Sequence, residues 1–373
     1  MKICVYAICK NEEKFVDRWV DSMSEADAIA VLDTGSTDRT VERLLKRGVS
    51  VTVETISPWR FDTARNRSLA CVPKDADVCV CTDLDEVLEP GWRAQLEAQW
   101  TPGTKRAHYR YTWNFNPDGS EGTVFWTDKI HTRHDFRWIH PVHEVLDYLP
   151  GGEYPITTLH GVQLNHLPDP QKSRAQYLPL LELAAAETPL DDRTMHYLGR
   201  EYMFNGLWEK SIETLKRHLA LPSATWADER CASMRFIARG WRALGYPLEA
   251  KRWLHRAVAE APHLREPYIE LATLLYEEQN WPGVLYLTEA ALAIRERAMS
   301  YINEPASWGP KPYDLASLAC YYLGLYEKAL RYVNEAVRLA PADERLQANR
   351  ICMEKKHADS TAPPNAAAKN SKL

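Results

Sequence analysis

The sequence predicts two domains of different class, an α/β domain with a mostly parallel sheet followed by an all-α domain of repeated helices. Residues 1–90 alternate apolar, strand-like runs with short amphipathic helices. This alternation implies right-handed crossover connections, which place successive strands in parallel. After about residue 175 the pattern is helical only and repeats internally. A chain of 373 residues is long enough to give each domain its own core.

Composition and charge narrow the class of protein. The formal net charge of −5 at pH 7 gives no overall electrostatic attraction for nucleic acid. The eight cysteines are scattered without zinc-site spacing, so we expect buried, reduced thiols and a reducing compartment. The apolar run in MKICVYAICKNEE is too short for a signal peptide, and no later run reaches membrane length. These features predict a cytoplasmic protein without a membrane span.

The α/β part contains four predicted strands. They are the short apolar runs ICVYAIC, AIAVLD, VSVTVET and DVCVCTD. Between them, EEKFVDRWVDSM has helical apolar periodicity, and a short helix runs over about 39–46 with Gly48 as its stop. DTARNRSLACV predicts a third helix that Asp62 can cap. Residues 105–166 are less regular, and we expect short aromatic strands and loops there, with acceptor and metal contacts among their histidines.

Polar residues follow three of these strands at their carboxyl ends. In an open parallel sheet, ligands bind in the crevice beyond those ends. We therefore expect three clusters to meet in one crevice: Lys10, Asn11 and Glu12; Asp33, Thr34 and Gly35; Asp83 and Asp85.

The stretch DVCVCTDLDEVL allows two interpretations. Asp83, Asp85 and Glu86 repel one another unless a cation or solvent screens them, so the stretch is either a metal site or a solvated acidic turn. Convergence with the other strand ends favours the metal site. Because side chains alternate along a strand, Asp83 and Asp85 point to the same side. Hard oxygen ligands of this kind suit Mn2+ or Mg2+.

Three other chemistries fit this domain less well. The turn CKNEEKF lacks the glycine fingerprint of nicotinamide binding. An aspartyl phosphatase usually has its Asp-x-Asp on an early strand, whereas here it ends the fourth strand and precedes Glu86. HEVLD departs from the zincin pattern at Asp147. Sugar transfer from a nucleotide diphosphate remains, because a divalent cation held by carboxylates neutralises the diphosphate leaving group.

The second half contains an internal repeat. Its copies are GLWEKSIETLKRHLALP from 206, GYPLEAKRWLHRAVAEAP from 245, GLYEKALRYVNEAVRLAP from 324 and a weaker QNWPGVLYLTEAALAI from 279. Each resembles the second helix of a tetratricopeptide repeat, which predicts a degenerate solenoid of helical hairpins. The predicted boundaries are 1–166 for the α/β domain, 167–189 for a linker and connecting helix, 190–354 for the repeats, and 355–373 for a disordered tail.

Taken together, the ordered blocks resemble a family 2 glycosyltransferase of the GT-A fold. The blocks are AICKNEEKFVDRWVDSM, ADAIAVLDTGSTDRTVE, FDTARNRSLA, CTDLDEVL and HEVL. More narrowly, the chain is similar to bacterial and phage members that fuse a short catalytic domain to tetratricopeptide-like helices, a group that includes S-glycosyltransferases of peptide bacteriocins. The resemblance covers roughly residues 3–166 in motif and 190–352 in architecture. It implies a metal-dependent, inverting hexosyltransferase that takes a nucleotide-diphosphate sugar, with a UDP-sugar favoured.

The resemblance also implies roles for individual residues. Glu144, in VHE, falls where the family places its catalytic base. Asp83, Asp85 and His166 would be the metal ligands, although the family usually shows His-x-Gly-Tyr where this chain has HLPD. Donor binding would involve Ala7, Asn11, Glu12, Asp33, Thr34, Gly35, Arg65, Asn66, Asp83, Lys172 and Arg174.

Several of these residues also have a purely structural interpretation. Asp33 could cap the turn before the helix at 39–46, and Arg65 could pair with a neighbouring carboxylate as scaffold. Glu144 could be an ion-pair partner, and His166 a structural histidine. Three tryptophans could stack on a sugar or belong to the core: Trp113, Trp126 and Trp138.

The alternative function is a non-catalytic, nucleotide-sugar-binding scaffold whose repeats recruit a partner. The acceptor stays open among a peptide, a glycan and modified phage DNA, although the acidic net charge counts against DNA. No basic amphipathic stretch supports a bilayer-bound acceptor. The repeats either select the acceptor or mediate a homodimer.

Overall fold

The computed structural model describes residues 1–170 and 175–361, and the chain forms two compact units. The first unit comprises Met1–Glu201 together with Met299–Tyr301. The second comprises Tyr202–Ala298 and the chain from Ile302 onward. The first unit thus continues beyond residue 166, where the sequence analysis ends the α/β domain. Among the described residues, no helix has the length and apolar character needed to cross a membrane.

An eight-stranded mixed sheet forms the centre of the first unit, in the order β3-β2-β1-β4-β7-β6-β10-β5, and β8 and β9 form a separate pair. β1 is parallel to β2 and β4, and β2 is parallel to β3. The predicted parallel arrangement of the first four strands is therefore confirmed. The strands are β1 (Ile3–Cys9), β2 (Ala28–Asp33), β3 (Ser50–Val53), β4 (Val78–Asp83), β5 (Glu86–Leu88), β6 (Arg106–Thr112), β7 (Val124–Thr132), β8 (Phe136–Ile139), β9 (Val145–Tyr148) and β10 (Ile156–His166).

Both faces of this sheet are covered, so alternate residues of β1 enter two different cores. Val5 packs in the core that contains Trp19 and Trp92. Tyr6 points to the opposite face and packs in the core that contains Trp138. Burial on both faces explains why the strand reads as an uninterrupted apolar run. The helices of this unit are α1 (Val16–Met23), α2 (Thr40–Lys46), α3 (Phe61–Ala70), α4 (Trp92–Gln99), α5 (Tyr177–Glu187) and the beginning of α6 (Asp192–Phe204).

The start of α3 differs from the prediction. Arg60 occupies the N-cap position, and no side chain caps the helix. Asp62 lies inside the first turn, where its carboxylate pairs with Arg60 at 2.8 Å. The prediction that Asp62 caps this helix is therefore wrong. Asp62 lies two residues beyond the N-cap, within the first turn, where its negative charge still interacts favourably with the positive end of the helix dipole.

All eight cysteines are free thiols. Cys4, Cys9, Cys79 and Cys81 are buried, as the apolar runs predict. Burial raises the pKa of Cys81 to about 11, which keeps this thiol protonated at neutral pH.

The predicted repeats begin at one recurring kind of helix end. Each of these turns has a glycine directly after a helix, and the glycine has a positive φ: 71° at Gly206, 83° at Gly245 and 74° at Gly324. At each, the glycine N–H donates to the carbonyl three residues back and the next N–H to the carbonyl five back. This is the Schellman motif, in which glycine adopts the left-handed conformation at no steric cost. In the weaker copy Gln279 takes the same position with φ 57°, which accounts for the missing glycine in that sequence.

The helices of the second unit follow one another along the chain and are joined by short turns, except that residues 294–310 form a longer connection between Ala293 and Lys311. The last of them continues through residues 355–361, which the sequence analysis assigns to the tail. Buried Leu346 and Met353 anchor that helix, and each further residue adds one backbone hydrogen bond to it. Residues 362–373 lie outside the described residues. The helices are α7 (Trp208–Ala220), α8 (Ala227–Ala243), α9 (Pro247–Glu260), α10 (Glu266–Glu277), α11 (Trp281–Ala293), α12 (Lys311–Tyr322), α13 (Tyr326–Leu339) and α14 (Glu344–Thr361).

Candidate active site

The loop after β2 is organised by Asp33. Its Oδ1 accepts hydrogen bonds from the backbone N–H groups of Gly35 at 3.0 Å and Ser36 at 2.9 Å. Its Oδ2 accepts from the Ser36 hydroxyl, and the carboxylate is buried. The Thr34 hydroxyl ties the loop to β1 by donating to the Cys9 carbonyl at 3.0 Å. Asp33 thus folds its own turn, as its structural interpretation predicts, and its contact with a donor base stays a prediction.

The end of β1 is joined to the same loop. The Asn11 side-chain oxygen accepts from the Thr37 N–H at 2.7 Å, and the Asn11 N–H donates to the Ser36 hydroxyl oxygen at 2.8 Å. Glu12 is buried beside them, whereas Ala7 is fully buried within β1. The first two predicted clusters therefore meet at one edge of the sheet.

Arg65, on α3, joins two of the predicted carboxylates. It is only 3% exposed. Its Nη2 lies 2.8 Å from Asp83 Oδ1, and its Nε donates to Glu144 Oε1 at 2.9 Å. Burial alone lowers the pKa of Arg65, but the charges of Asp83 and Glu144 outweigh it, so this pKa lies well above its ordinary value. One buried cation therefore connects the carboxyl end of β4 to the VHE loop.

Glu86 and Lys129 complete this arrangement. Glu86 was expected only as part of the acidic stretch after β4, and Lys129 was not predicted from the sequence. Glu86 is buried. Its carboxylate accepts a hydrogen bond from the Tyr111 hydroxyl at 2.7 Å and another from the backbone N–H of Asp83 at 2.9 Å. Lys129 Nζ lies 3.2 Å from Glu86 and 3.7 Å from Asp83. Burial lowers the pKa of Lys129, but Glu86 and Asp83 raise it above its ordinary value. A lysine among apolar and aromatic residues of a strand is the signal that could have identified it.

Asp85 and His166 form a second pair at this edge. His166 Nε2 lies 3.5 Å from Asp85 Oδ2. Its Nδ1–H donates to the Trp113 carbonyl at 2.9 Å, and the imidazole stacks on the Trp113 ring at 4.5 Å. Burial lowers the pKa of His166, but the contact with Asp85 has the opposite effect. The net result is a pKa above the ordinary value of histidine.

The donor atoms of Asp85 and His166 fit a divalent cation. A carboxylate oxygen and an imidazole nitrogen face each other, and the bond from Nδ1–H to a carbonyl orients Nε2 as the ligand atom. Asp83 instead lies against Arg65 and Lys129. Of the described side chains, no three acidic, histidine or cysteine groups converge within ligand distance of one another at this edge. A cation here would take two protein ligands and complete its shell from other sources.

Asn66 holds the backbone of β8 through both ends of its amide. Its Nδ2 donates to the Trp138 carbonyl and its Oδ1 accepts from the Trp138 N–H, both at 2.8 Å. Trp138 is itself buried and donates to Tyr6 Oη at 2.8 Å, so it belongs to the core. Trp113 is 46% exposed beside His166 and retains an accessible ring.

The predicted diphosphate contacts Lys172 and Arg174 lie outside the described residues. Two other cations hold the segment that follows β10. Lys14 pairs with Asp169, and Arg18 Nη2 donates to the Leu167 carbonyl at 2.6 Å.

The model of the family described as Glycosyl transferase family 2 matches residues 4–141. Residues 4–141 are therefore similar to family 2 glycosyltransferase domains. The match supports glycosyltransferase activity in general, and the predicted fold class, a GT-A-like domain followed by a helical domain, is confirmed. Glu144 and His166 lie beyond the matched residues.

Several solved structures resemble part of the chain at low similarity, and two of the following three are named as TPR proteins. The C-terminal part of a TPR repeat-containing protein from Cytophaga hutchinsonii is 15% identical, with 50% of this chain and 67% of that chain covered and a TM-score of 0.40. PilF from Pseudomonas aeruginosa is 14% identical, with 46% and 72% covered and a TM-score of 0.38. A thermophilic TPR protein from Thermus thermophilus is 18% identical, with 48% and 89% covered and a TM-score of 0.33. No curated protein matches the chain.

Proposed function

We propose that this protein transfers a sugar, in particular a hexose, from a nucleotide-diphosphate sugar to a nucleophilic acceptor, with inversion at the anomeric carbon. A UDP-sugar is the favoured donor, and Mn2+ or Mg2+ is the proposed metal. The observation that supports this most directly is the buried bridge of Arg65 between Asp83 and Glu144. It joins a predicted donor-binding group, Asp83, which lies within the residues that match the family, to a predicted base, Glu144, just beyond them.

In this proposal Glu144 acts as general base. Its side chain is 12% exposed, and Arg65 occupies only Oε1. Among the described residues, none donates a hydrogen bond to Oε2, which can therefore accept the proton of the acceptor nucleophile. Arg65 fixes the direction of that oxygen by holding the other one.

The remaining residues serve the donor. Asp85 and His166 would hold a divalent cation, which when bound neutralises the charge of the leaving diphosphate. Lys129 keeps Asp83 and Glu86 in place through its ion pairs. Asn11 and the loop closed by Asp33 would shape the nucleoside pocket.

The acceptor is proposed at the level of class. We propose a peptide cysteine as the first acceptor to test, before glycans and modified DNA, on the basis of the resemblance of the sequence motifs to transferases that modify peptide thiols. The helical repeats are proposed to select that acceptor.

The direct test is thermal unfolding of the full chain with UDP-glucose, UDP-galactose, UDP-N-acetylglucosamine and GDP-mannose, each with and without Mn2+. A ligand that binds only the folded state raises the melting temperature, and at 100 times its Kd it adds about 2.7 kcal/mol to the free energy of unfolding. We expect one donor to raise the melting temperature only when Mn2+ is present. No shift with any donor, and no release of UDP or GDP on long incubation, would contradict the proposal.

A further inference from the structure

We propose that Tyr197 is a positioning residue for Glu144, because its ring holds the loop at residues 140–144 in the conformation that brings Glu144 to Arg65. The inference rests on the proposed function, in which Glu144 is the base. It assigns part of the active site to α6, which lies outside the residues that match the family.

The loop has an unfavourable backbone conformation. His140 and His143 both have positive φ, at 73° and 51°. Residues other than glycine rarely adopt this region, and they remain there only when surrounding contacts hold them. His143 directly precedes Glu144, so its backbone angles set the direction in which the Glu144 side chain leaves the loop.

Helix α3 holds the loop from one side. The Phe61 N–H donates to the Pro141 carbonyl at 3.0 Å. Arg65, one turn further along the helix, donates to Glu144 at 2.9 Å. These contacts fix both ends of the segment 141–144 but do not touch the ring of His143.

Two tyrosines contact the ring of His143. Its centroid lies 4.0 Å from that of Tyr197 with the planes 17° apart, and 5.8 Å from that of Tyr177 with the planes 16° apart. Contacts between aromatic rings contribute to stability beyond the area that they bury. The stack therefore gives the positive φ of His143 a compensating contact.

Tyr197 is itself well fixed, as a supporting residue must be. It is 7% exposed. The guanidinium groups of Arg193 and Arg200 lie 4.8 Å and 4.4 Å from its ring centre, and Tyr301 stacks at 5.8 Å. All of these residues belong to the first compact unit.

Loss of the Tyr197 ring should therefore remove the closer of these two stacking contacts of His143 without touching the donor contacts at the strand ends. Since a misplacement of about 1 Å in a reacting group can cost on the order of 100-fold in rate, kcat is the parameter expected to change. The Tyr197 hydroxyl has no hydrogen bond among the described residues. Tyr197→Phe therefore keeps the ring that contacts His143, Tyr301 and the two arginines.

The experiment compares Tyr197→Ala, Tyr197→Leu and Tyr197→Phe in the full chain. Tyr197→Leu fills most of the space without an aromatic face and serves if Tyr197→Ala does not fold. Tyr322→Ala is the matched control, because it removes a stack of the same kind, on Trp281 at 4.2 Å, within the second unit. Release of UDP is measured with UDP-glucose and UDP-N-acetylglucosamine in Mn2+, and backbone hydrogen exchange is followed over residues 140–146.

We expect Tyr197→Ala and Tyr197→Leu to lower kcat by on the order of 100-fold with the donor KM unchanged, and to speed hydrogen exchange in the loop. Tyr197→Phe and Tyr322→Ala should match the wild type in both. Wild-type kcat in Tyr197→Leu, or a loss that Tyr197→Phe shares, would overturn the proposal. If the wild type released no UDP, the proposed function would fail, whereas unchanged loop exchange in Tyr197→Leu would refute the role of Tyr197 itself.

Discussion

Replacement of Arg65 by methionine tests the central bridge of the candidate site. Methionine keeps much of the buried volume but leaves Asp83 and Glu144 without their shared cation. Removal of one partner of a buried ion pair costs about 3–5 kcal/mol, because the other charge stays buried without compensation. Asp83 is 34% exposed and keeps Lys129 at 3.7 Å, so solvent and that lysine offset part of the loss. We therefore expect the lower end, about 3 kcal/mol.

The measurement is calorimetric unfolding of the full chain. For a unit of about 200 residues, a loss of about 3 kcal/mol corresponds to a fall in melting temperature of roughly 6–12 °C. The matched control is Arg67→Met on the same helix, since Arg67 is 62% exposed and lies 3.5 Å from Glu54. An exposed pair of this kind is worth about 0–1 kcal/mol. If the two variants melted at the same temperature, the buried ion pairs of Arg65 would stabilise the fold no more than an exposed pair does, and the reasoning would be refuted.

Three further predictions concern the base, the metal ligand and a buried histidine. Glu144→Gln should abolish sugar transfer and leave donor affinity nearly unchanged by calorimetry, because the amide keeps the size of the side chain but cannot accept the proton; retained turnover would remove Glu144 as base. Asp85→Ala should lose Mn2+-dependent donor binding, and equal donor affinity with and without Asp85 would show that the metal assignment is wrong. Burial lowers the pKa of His131 to about 3, against about 6.5 in the unfolded chain. Its neutral form therefore stabilises the fold fully above about pH 6.5, and this contribution falls by up to ~1.4 kcal/mol per pH unit towards pH 3. His131→Gln should flatten the dependence of unfolding free energy on pH in that range, whereas a change equal to that of the exposed His255→Gln would contradict the assignment.

The first four strands could be predicted because each is a short apolar run buried on both faces of a sheet. The turns of the repeats could also be predicted from the sequence, because a helix that ends in a residue of left-handed conformation favours glycine at that position. The copy with Gln279 was weaker because another residue there accepts the same φ at some cost. The cap at Asp62 was predicted wrongly, because sequence alone does not tell an N-cap carboxylate from one in the first turn.

The candidate site was also predictable only in part. Asp83, Asp85 and Glu144 were identifiable as types of residue in ordered motifs, and strand ends predicted that the first clusters would meet. The sequence did not indicate that Arg65 joins Asp83 to Glu144, nor that Asp83 pairs with Arg65 and Lys129 while Asp85 pairs with His166. Such pairings depend on side-chain directions in three dimensions between segments that are tens of residues apart.

By itself, then, the sequence determined the order of elements, the apolar faces and the chemical types available at the sheet edge, because these depend on local periodicity and backbone preference. Only the tertiary structure decided that Asp83 faces the cationic side chains of Arg65 and Lys129, whereas Asp85 faces His166. It also brought Tyr197 against the loop of Glu144, 53 positions away along the chain. The physical reason is that burial makes every charge and every strained backbone angle depend on its neighbours in space, and those neighbours are fixed only when the chain is packed.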